Sequence, residues 1–315
     1  MTQIGPQIHR IESVFDGRWL ASYLLAGRRP LLVDSGFAVT PETVIWPYLG
    51  QIGVPVDRLR WLVVTHASGD HFGGNGAIKQ SAPRITVIAH AADAASIAQH
   101  TTFVAEHIDF LRAEGYPVPA ISVADPGFRA LHGAETSVDW VVQGGESLDL
   151  GEGWEVTLVH APGHTPGHLV VWDPRHRVLF AGDALMGDGI PDVDGHLVMP
   201  PHYFDVEAYR RTLQTVRALS PQLILATHYP PIMGDGVERF LEASTAFVAR
   251  CEEIVADLLA QPQPQPIIAA TLVALRRALG IPGADYQYSL LARAHLRNQG
   301  VTMPPPPGWP AALSR

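Results

Sequence analysis

Four short stretches gather the side chains able to bind a metal or move protons: Thr65–Gly74 (THASGDHFGG), Ala161–His168 (APGHTPGH), Phe180–Ala184 (FAGDA) and Ala226–Tyr229 (ATHY). Together they supply His66, Asp70, His71, His164, His168, Asp183 and His228. Neutral imidazole and carboxylate in one cluster suit zinc, one ion or two, with iron or manganese as alternatives. The chain has 15 histidines, and their clustering makes metal chemistry the first reading. An ion held there lowers the pKa of its water toward neutrality and provides hydroxide at pH 7.

Such donors meet only if the elements carrying them converge, and each stretch follows or ends an expected strand. β-Branched and aromatic runs predict strands at Ile8–Phe15, Trp19–Ala26, Pro30–Asp34, Arg58–Val64, Ile85–His90, Asp139–Val142, Trp154–His160, Leu169–Trp172, Val178–Ala181 and Leu223–Ala226. Helices are expected from Pro41, capped by Thr40, over Gly73–Gln80, from Ala91, over Thr102–Glu114, and from an Asp205 cap to Leu219. Pro117, Pro119, Pro126 and Gly127 punctuate a long loop, of the kind that often forms a lid or binding segment. Strands alternating with helices predict an α/β chain with mixed sheets and helices outside.

Beyond Pro230 the pattern changes. Apolar residues from Val237 to Leu259 keep a helical period over roughly six turns, which predicts a packing helix with Cys251 on its apolar face. A linker at Gln261–Pro266, helices near Ile267–Leu279 and Tyr286–Asn298, and a loose polyproline-like tail at Pro304–Pro307 follow. The expected division is 1–235 for a catalytic domain and 236–315 for a C-terminal helical domain.

Composition excludes other classes. The chain has 315 residues, 47% hydrophobic and 17% charged, which is globular and not disordered. A formal net charge of −9 argues against a nucleic-acid partner. One cysteine cannot form an internal disulfide and fits a reducing compartment. No run approaches the roughly 18 apolar residues needed to span a bilayer, and the start shows no secretory pattern, so the cytoplasm is expected. Only Lys79 among the 22 basic residues is a lysine, a skew that fits a GC-rich, bacterial genome.

In their order, these motifs resemble those of the metallo-β-lactamase superfamily, over roughly residues 8–230. The family's first motif is H-x-H-x-D-H after a strand, followed by a His in a PGHTPGH-like turn, a bridging Asp in a GD dipeptide and a His at a late strand end. The resemblance implies an αββα sandwich with a C-terminal helical domain, and metal-assisted hydrolysis of an ester, thioester, lactone or amide carbonyl. It assigns His66 and His164 to a first metal site and Asp70, His71 and His228 to a second, with Asp183 bridging and Asp34 supporting. Asp70 is also expected to orient or receive the proton in catalysis.

One position departs from the pattern. Ser68 replaces the second His of the motif, which favours one ion in the second site, with His132 or His202 as substitutes if the first is also filled. Ser68, His202 and Tyr203 are candidate substrate contacts, while His160 and His168 are expected to pack. A Tyr three residues after the bridging Asp would favour acyl homoserine lactones, but Met186 stands there. The partner is then a small-molecule substrate, with a homodimer compatible; no membrane is expected. The alternative function is a non-catalytic metal sensor or thioester-binding protein with a degenerate site.

Overall fold

The computed structural model describes residues 2–5, 7–262 and 267–309. Two sheets form the centre. The first has seven strands in sequence order: Thr2–Gly5, Ile8–Phe15, Arg18–Leu25, Leu31–Val33, Trp61–Val63, Thr86–His90 and Trp140–Val142. Its first four strands pair antiparallel, and the remaining pairings are parallel. The second has six, in the order Ile232–Met233, Leu223–Ala226, Val178–Gly182, Leu169–Asp173, Trp154–His160 and Ser147–Gly151. There only Val178–Gly182 and Leu223–Ala226 run parallel.

Alternation of side chains divides the core. Leu31, Val33, Val63 and Ile88 of the first sheet cluster with Leu158, Leu169, Val171, Phe180 and Leu225 of the second. The intervening residues Leu32, Leu62, Val87, Val170, Leu179 and Ile224 join a different cluster, with buried residues of the helices. Successive strand residues point to opposite faces. Each sheet is therefore covered by its partner on one face and by helices on the other, an αββα sandwich.

Asp205 caps the helix Val206–Leu219 as expected, its carboxylate accepting from Ala208 N at 2.8 Å. Thr40 does not cap: its own backbone is helical and its side chain makes no capping bond. The punctuated loop contains a further helix, Pro126–His132, capped by Asp125. The strands Thr2–Gly5 and Ser147–Gly151 also lie outside the expected set.

Helices Asp235–Leu259, Ile267–Leu279 and Asp285–Asn298 form the C-terminal lobe, and their buried residues belong to the same cluster as the helices over the sheets. Arg293 pairs with Glu114 at 2.7 and 2.8 Å, and Arg297 with Asp205 at 2.6 Å, fastening the last helix to the sandwich. Residues 263–266 of the expected linker lie outside the described residues. The tail is not loose: Arg293 donates to the Pro304 carbonyl at 2.7 Å, and Trp309 is buried. No described helix is long and apolar enough to cross a membrane.

Candidate metal centre

The turn after Trp61–Val63 carries His66 and leads into the short helix Gly69–Phe72, which carries Asp70 and His71. His164 lies in the turn between Trp154–His160 and Leu169–Asp173, while Asp183 follows Val178–Gly182 and His228 follows Leu223–Ala226. All six side chains meet where the strands of both sheets end. Two close turns depend on glycine. Gly163 has φ +140°, and a Cβ there would lie 2.5 Å from Tyr209 Cα. Gly182 has φ +52°, and its Cβ would lie 2.8 Å from Thr65 Oγ1.

The donors fall into two groups, His66–His164–Asp183 and Asp70–His71–His228. Asp183 Oδ2 lies between them, 4.0 Å from His164 Nε2, 3.6 Å from His71 Nε2 and 3.3 Å from His228 Nε2. Asp70 Oδ2 is 3.4 Å from His228 Nε2. Asp34 sits behind them, accepting from His71 Nδ1 at 2.8 Å, Thr65 Oγ1 at 2.9 Å and Thr65 N at 2.7 Å. It holds φ +60°, a strained backbone for a non-glycine residue, of the kind found at functional sites.

These supports fix the imidazole tautomers. His164 Nδ1 donates to the His202 carbonyl at 2.8 Å, and His228 Nδ1 to the Trp19 carbonyl at 2.9 Å. Thr65 Oγ1, already donating to Asp34, accepts from His66 Nδ1 at 3.0 Å. His66 and His164 thus present a bare Nε2 inward, whereas the Nε2 of His228 faces the carboxylates of Asp70 and Asp183. His66 and His164 bring two such lone pairs within 3.1 Å of each other. His71 Nε2 is buried with no hydrogen-bond partner. Lone pairs facing lone pairs and carboxylates are repulsive unless a cation lies among them, so the residues fit a divalent metal.

The electrostatics of the two groups differ. Burial, with the surrounding imidazoles, holds His66 well below its ordinary pKa, and burial lowers His164. Burial also opposes charge on His71 and His228, but nearby carboxylates outweigh it. Asp34 and Asp70 chiefly hold His71 raised, and Asp183 chiefly lifts His228 to about 10. Against burial, the charged His71 and His228 in turn hold Asp183 and Asp70 below the carboxylate range. A metal entering the second group therefore displaces protons; in the first the nitrogens are already bare.

Ser68 turns its hydroxyl toward Asp70, donating to Oδ1 at 2.6 Å. It borders a cavity of about 740 Å³ that opens onto Asp70, His164, Asp183 and His228. His202 borders the cavity too, its ring centroid 5.0 Å from that of His164. Tyr203 does not: it is fully buried, with its hydroxyl 2.7 Å from His295 Nε2. His132 lines the cavity but donates through Nδ1 to the Phe128 carbonyl at 2.9 Å, and among the described residues neither it nor His202 joins a donor group. His160 bonds the Pro166 carbonyl, and His168 accepts from Asp183 N at 3.1 Å while stacking on His66.

Sequence reasoning missed Asp93. Its buried carboxylate accepts from Ala67 N at 3.0 Å, Thr165 Oγ1 at 2.6 Å and Gly167 N at 2.7 Å, tying the His66 turn to the His164 turn. It lies just past the strand Thr86–His90, at the same sheet edge as the other site residues, which was the available signal.

A family profile described as the Metallo-beta-lactamase superfamily matches residues 21–228. The acyl-coenzyme A thioesterase MBLAC2 of Gallus gallus is 25% identical over 235 residues, 71% of this chain and 76% of that protein. A hydroxyacylglutathione hydrolase of Bdellovibrio bacteriovorus is 36% identical over 90 residues, 28% of this chain and only 32% of that relative. Among solved structures, a metallo-beta-lactamase family protein of Thermus thermophilus superposes with TM-score 0.69 at 21% identity, covering 96% of this chain and 98% of that one. A beta-lactamase domain protein of Burkholderia ambifaria gives 0.66 at 18%, covering 94% and 88%. These two share the fold. With the profile spanning well over half of it and the donors converging in motif order, the chain belongs to the metallo-beta-lactamase superfamily.

Proposed function

We propose that the chain hydrolyses an ester or thioester of an apolar acyl group, using a divalent metal held in the cluster. The observation that carries this reading is the cavity, whose walls include Phe103, Ile108, Val118, Phe128 and Leu131 and which opens directly onto the donors. Pockets of this size and lining take small molecules by their apolar parts and orient them with a few polar groups. Similarity to an acyl-coenzyme A thioesterase supports the same substrate class.

Asp70, His71 and His228 with Asp183 hold the working ion; His66 and His164, one imidazole short at Ser68, hold any other more weakly. When bound, the metal activates water and polarises the substrate carbonyl. On this reading Asp70, with one oxygen on the ligand side and the other accepting from Ser68, orients the attacking water and receives its proton. The apolar walls exclude bulk water and hold the acyl chain in line. On this reading the metal is zinc, the setting the bacterial cytoplasm, and the partner a small molecule, with dimerisation compatible and neither nucleic acid nor membrane involved.

The test is zinc-loaded protein against matched acyl esters, thioesters and lactones of increasing chain length, with metal content measured on the same sample. Thioester or ester turnover that rises with chain length and is lost with the metal is expected. Tight binding of these compounds without turnover favours the second reading, a thioester-binding protein, for which Ser68 in the ligand motif is the supporting observation.

A further inference from the structure

Beside Ser68 and His164 lies a side chamber of about 80 Å³. It shares Ser68, Phe103, Ile108, His164, His202 and Tyr286 with the main cavity, so the two adjoin at the reacting end. Three residues from three elements border it: His107 from the helical segment 100–113, His202 from the loop before Val206–Leu219, and Tyr286 at the start of the last helix. None of the three belongs to the donor groups.

Their polar atoms are unmet. Among the described residues the His107 ring has no hydrogen-bond partner, packing only against Phe103 and Phe204. His202 uses Nδ1 on the Pro200 carbonyl and leaves Nε2 without a partner, and the Tyr286 hydroxyl has none. His107 is only 4% exposed. Tyr286 is half-buried, and none of these polar atoms is sealed from the chamber, so they offer a ligand uncharged donors and acceptors beside the reaction centre. The chamber has no Asp, Glu, Lys or Arg in its walls, so a charged group would enter without a counter-ion. Burial pushes His107 down to about 3, so its imidazole is neutral, one nitrogen a donor and the other an acceptor. A chamber of about 80 Å³ exceeds the roughly 10–15 Å³ that one water needs, so it has room for a small substituent.

We propose that this chamber seats an uncharged oxygen substituent, a hydroxyl or keto oxygen, within two carbons of the carbonyl under attack. Resting on the hydrolase reading above, this narrows the substrate to an oxygenated acyl group whose apolar remainder lies in the main cavity. His107 and Tyr286 are then specificity-determining residues that act on binding of the substituent.

The probes are three ketones in which a methylene replaces the sulfur of a hexanoyl thioester: unsubstituted, 2-hydroxy and 3-hydroxy. Their dissociation constants are measured by calorimetry on the full chain and on His107→Phe and Tyr286→Phe, each checked for an unchanged melting transition. One hydroxylated ketone is expected to bind about tenfold or more tightly than the unsubstituted one, as a hydrogen bond to a buried partner warrants. That ratio is expected to fall toward one in at least the variant that folds. Equal affinities, no binding of any probe, or a preference that survives both substitutions overturns the proposal. Turnover of the corresponding thioesters is scored separately; its absence alongside an intact binding preference counts against the hydrolase reading alone.

Discussion

On the proposed reading, Ser68 shifts metal binding toward the second group of side chains. Where the motif has an imidazole, a hydroxyl 2.6 Å from Asp70 Oδ1 steadies a ligand of the other group. The second group keeps all its donors, so Asp70→Asn should lose mainly turnover, His228→Ala should lose metal and activity together, and His164→Ala should be milder. Metal analysis and hydrolysis rates on the same three proteins check this; a harmless His228→Ala beside a dead His164→Ala would reverse the assignment. Ser68→His should raise the number of tightly held ions toward two per chain, read by elemental analysis after mild chelation. The convergence of these six side chains was legible in sequence because each stands in a short motif at a strand end. Tyr203 was not placed by the same reasoning, because adjacency to His202 says nothing about direction: one ring borders the cavity and the next turns into the core.

At the scale of elements, Asp93 joins the turns that deliver His66 and His164, and burial pushes its carboxyl up to about 6 although Thr165 and two backbone N–H groups oppose the shift. Asp93→Ala leaves three buried donors without an acceptor and should cost about 2–4 kcal/mol, with weaker metal binding in the first group. Chemical denaturation and metal titration of the variant measure both, and unchanged stability would refute the bridging role. The strands Ile8–Phe15 and Trp154–His160 could be read residue for residue, since their β-branched and aromatic composition continues to a clear turn at each end. Pro126–His132 was hidden because prolines were counted as breakers, whereas Pro126 opens the helix, where it lacks only an N–H that would go unpaired anyway. Ser147–Gly151 was hidden by its brevity between glycines, though Leu148 and Leu150 alternate into the core.

Across the whole molecule, buried neutral histidines set the response to acid. Burial lowers His90 to about 4 and His107, His202 and His295 to about 3. The unfolded chain protonates near 6.5 while the folded chain resists, so their stabilisation is complete above that pH and is lost as pH falls through 4 toward 3. The slope approaches about 1.4 kcal/mol per pH unit for each such proton. His71 and His228, with raised values, act above 6.5 in chelated protein, while Asp93, raised to about 6, offsets the slope of one histidine between about pH 6 and 4. Denaturation midpoints between pH 7 and 4.5 should fall steadily; a flat profile would show these rings solvated. The cavity offers a different kind of consequence. Its walls come largely from residues 103–132 and 276–287, which contribute none of the clustered donors. Inherited variation can therefore exchange one clientele of substrates for another while the reactive apparatus passes unchanged from ancestor to descendant.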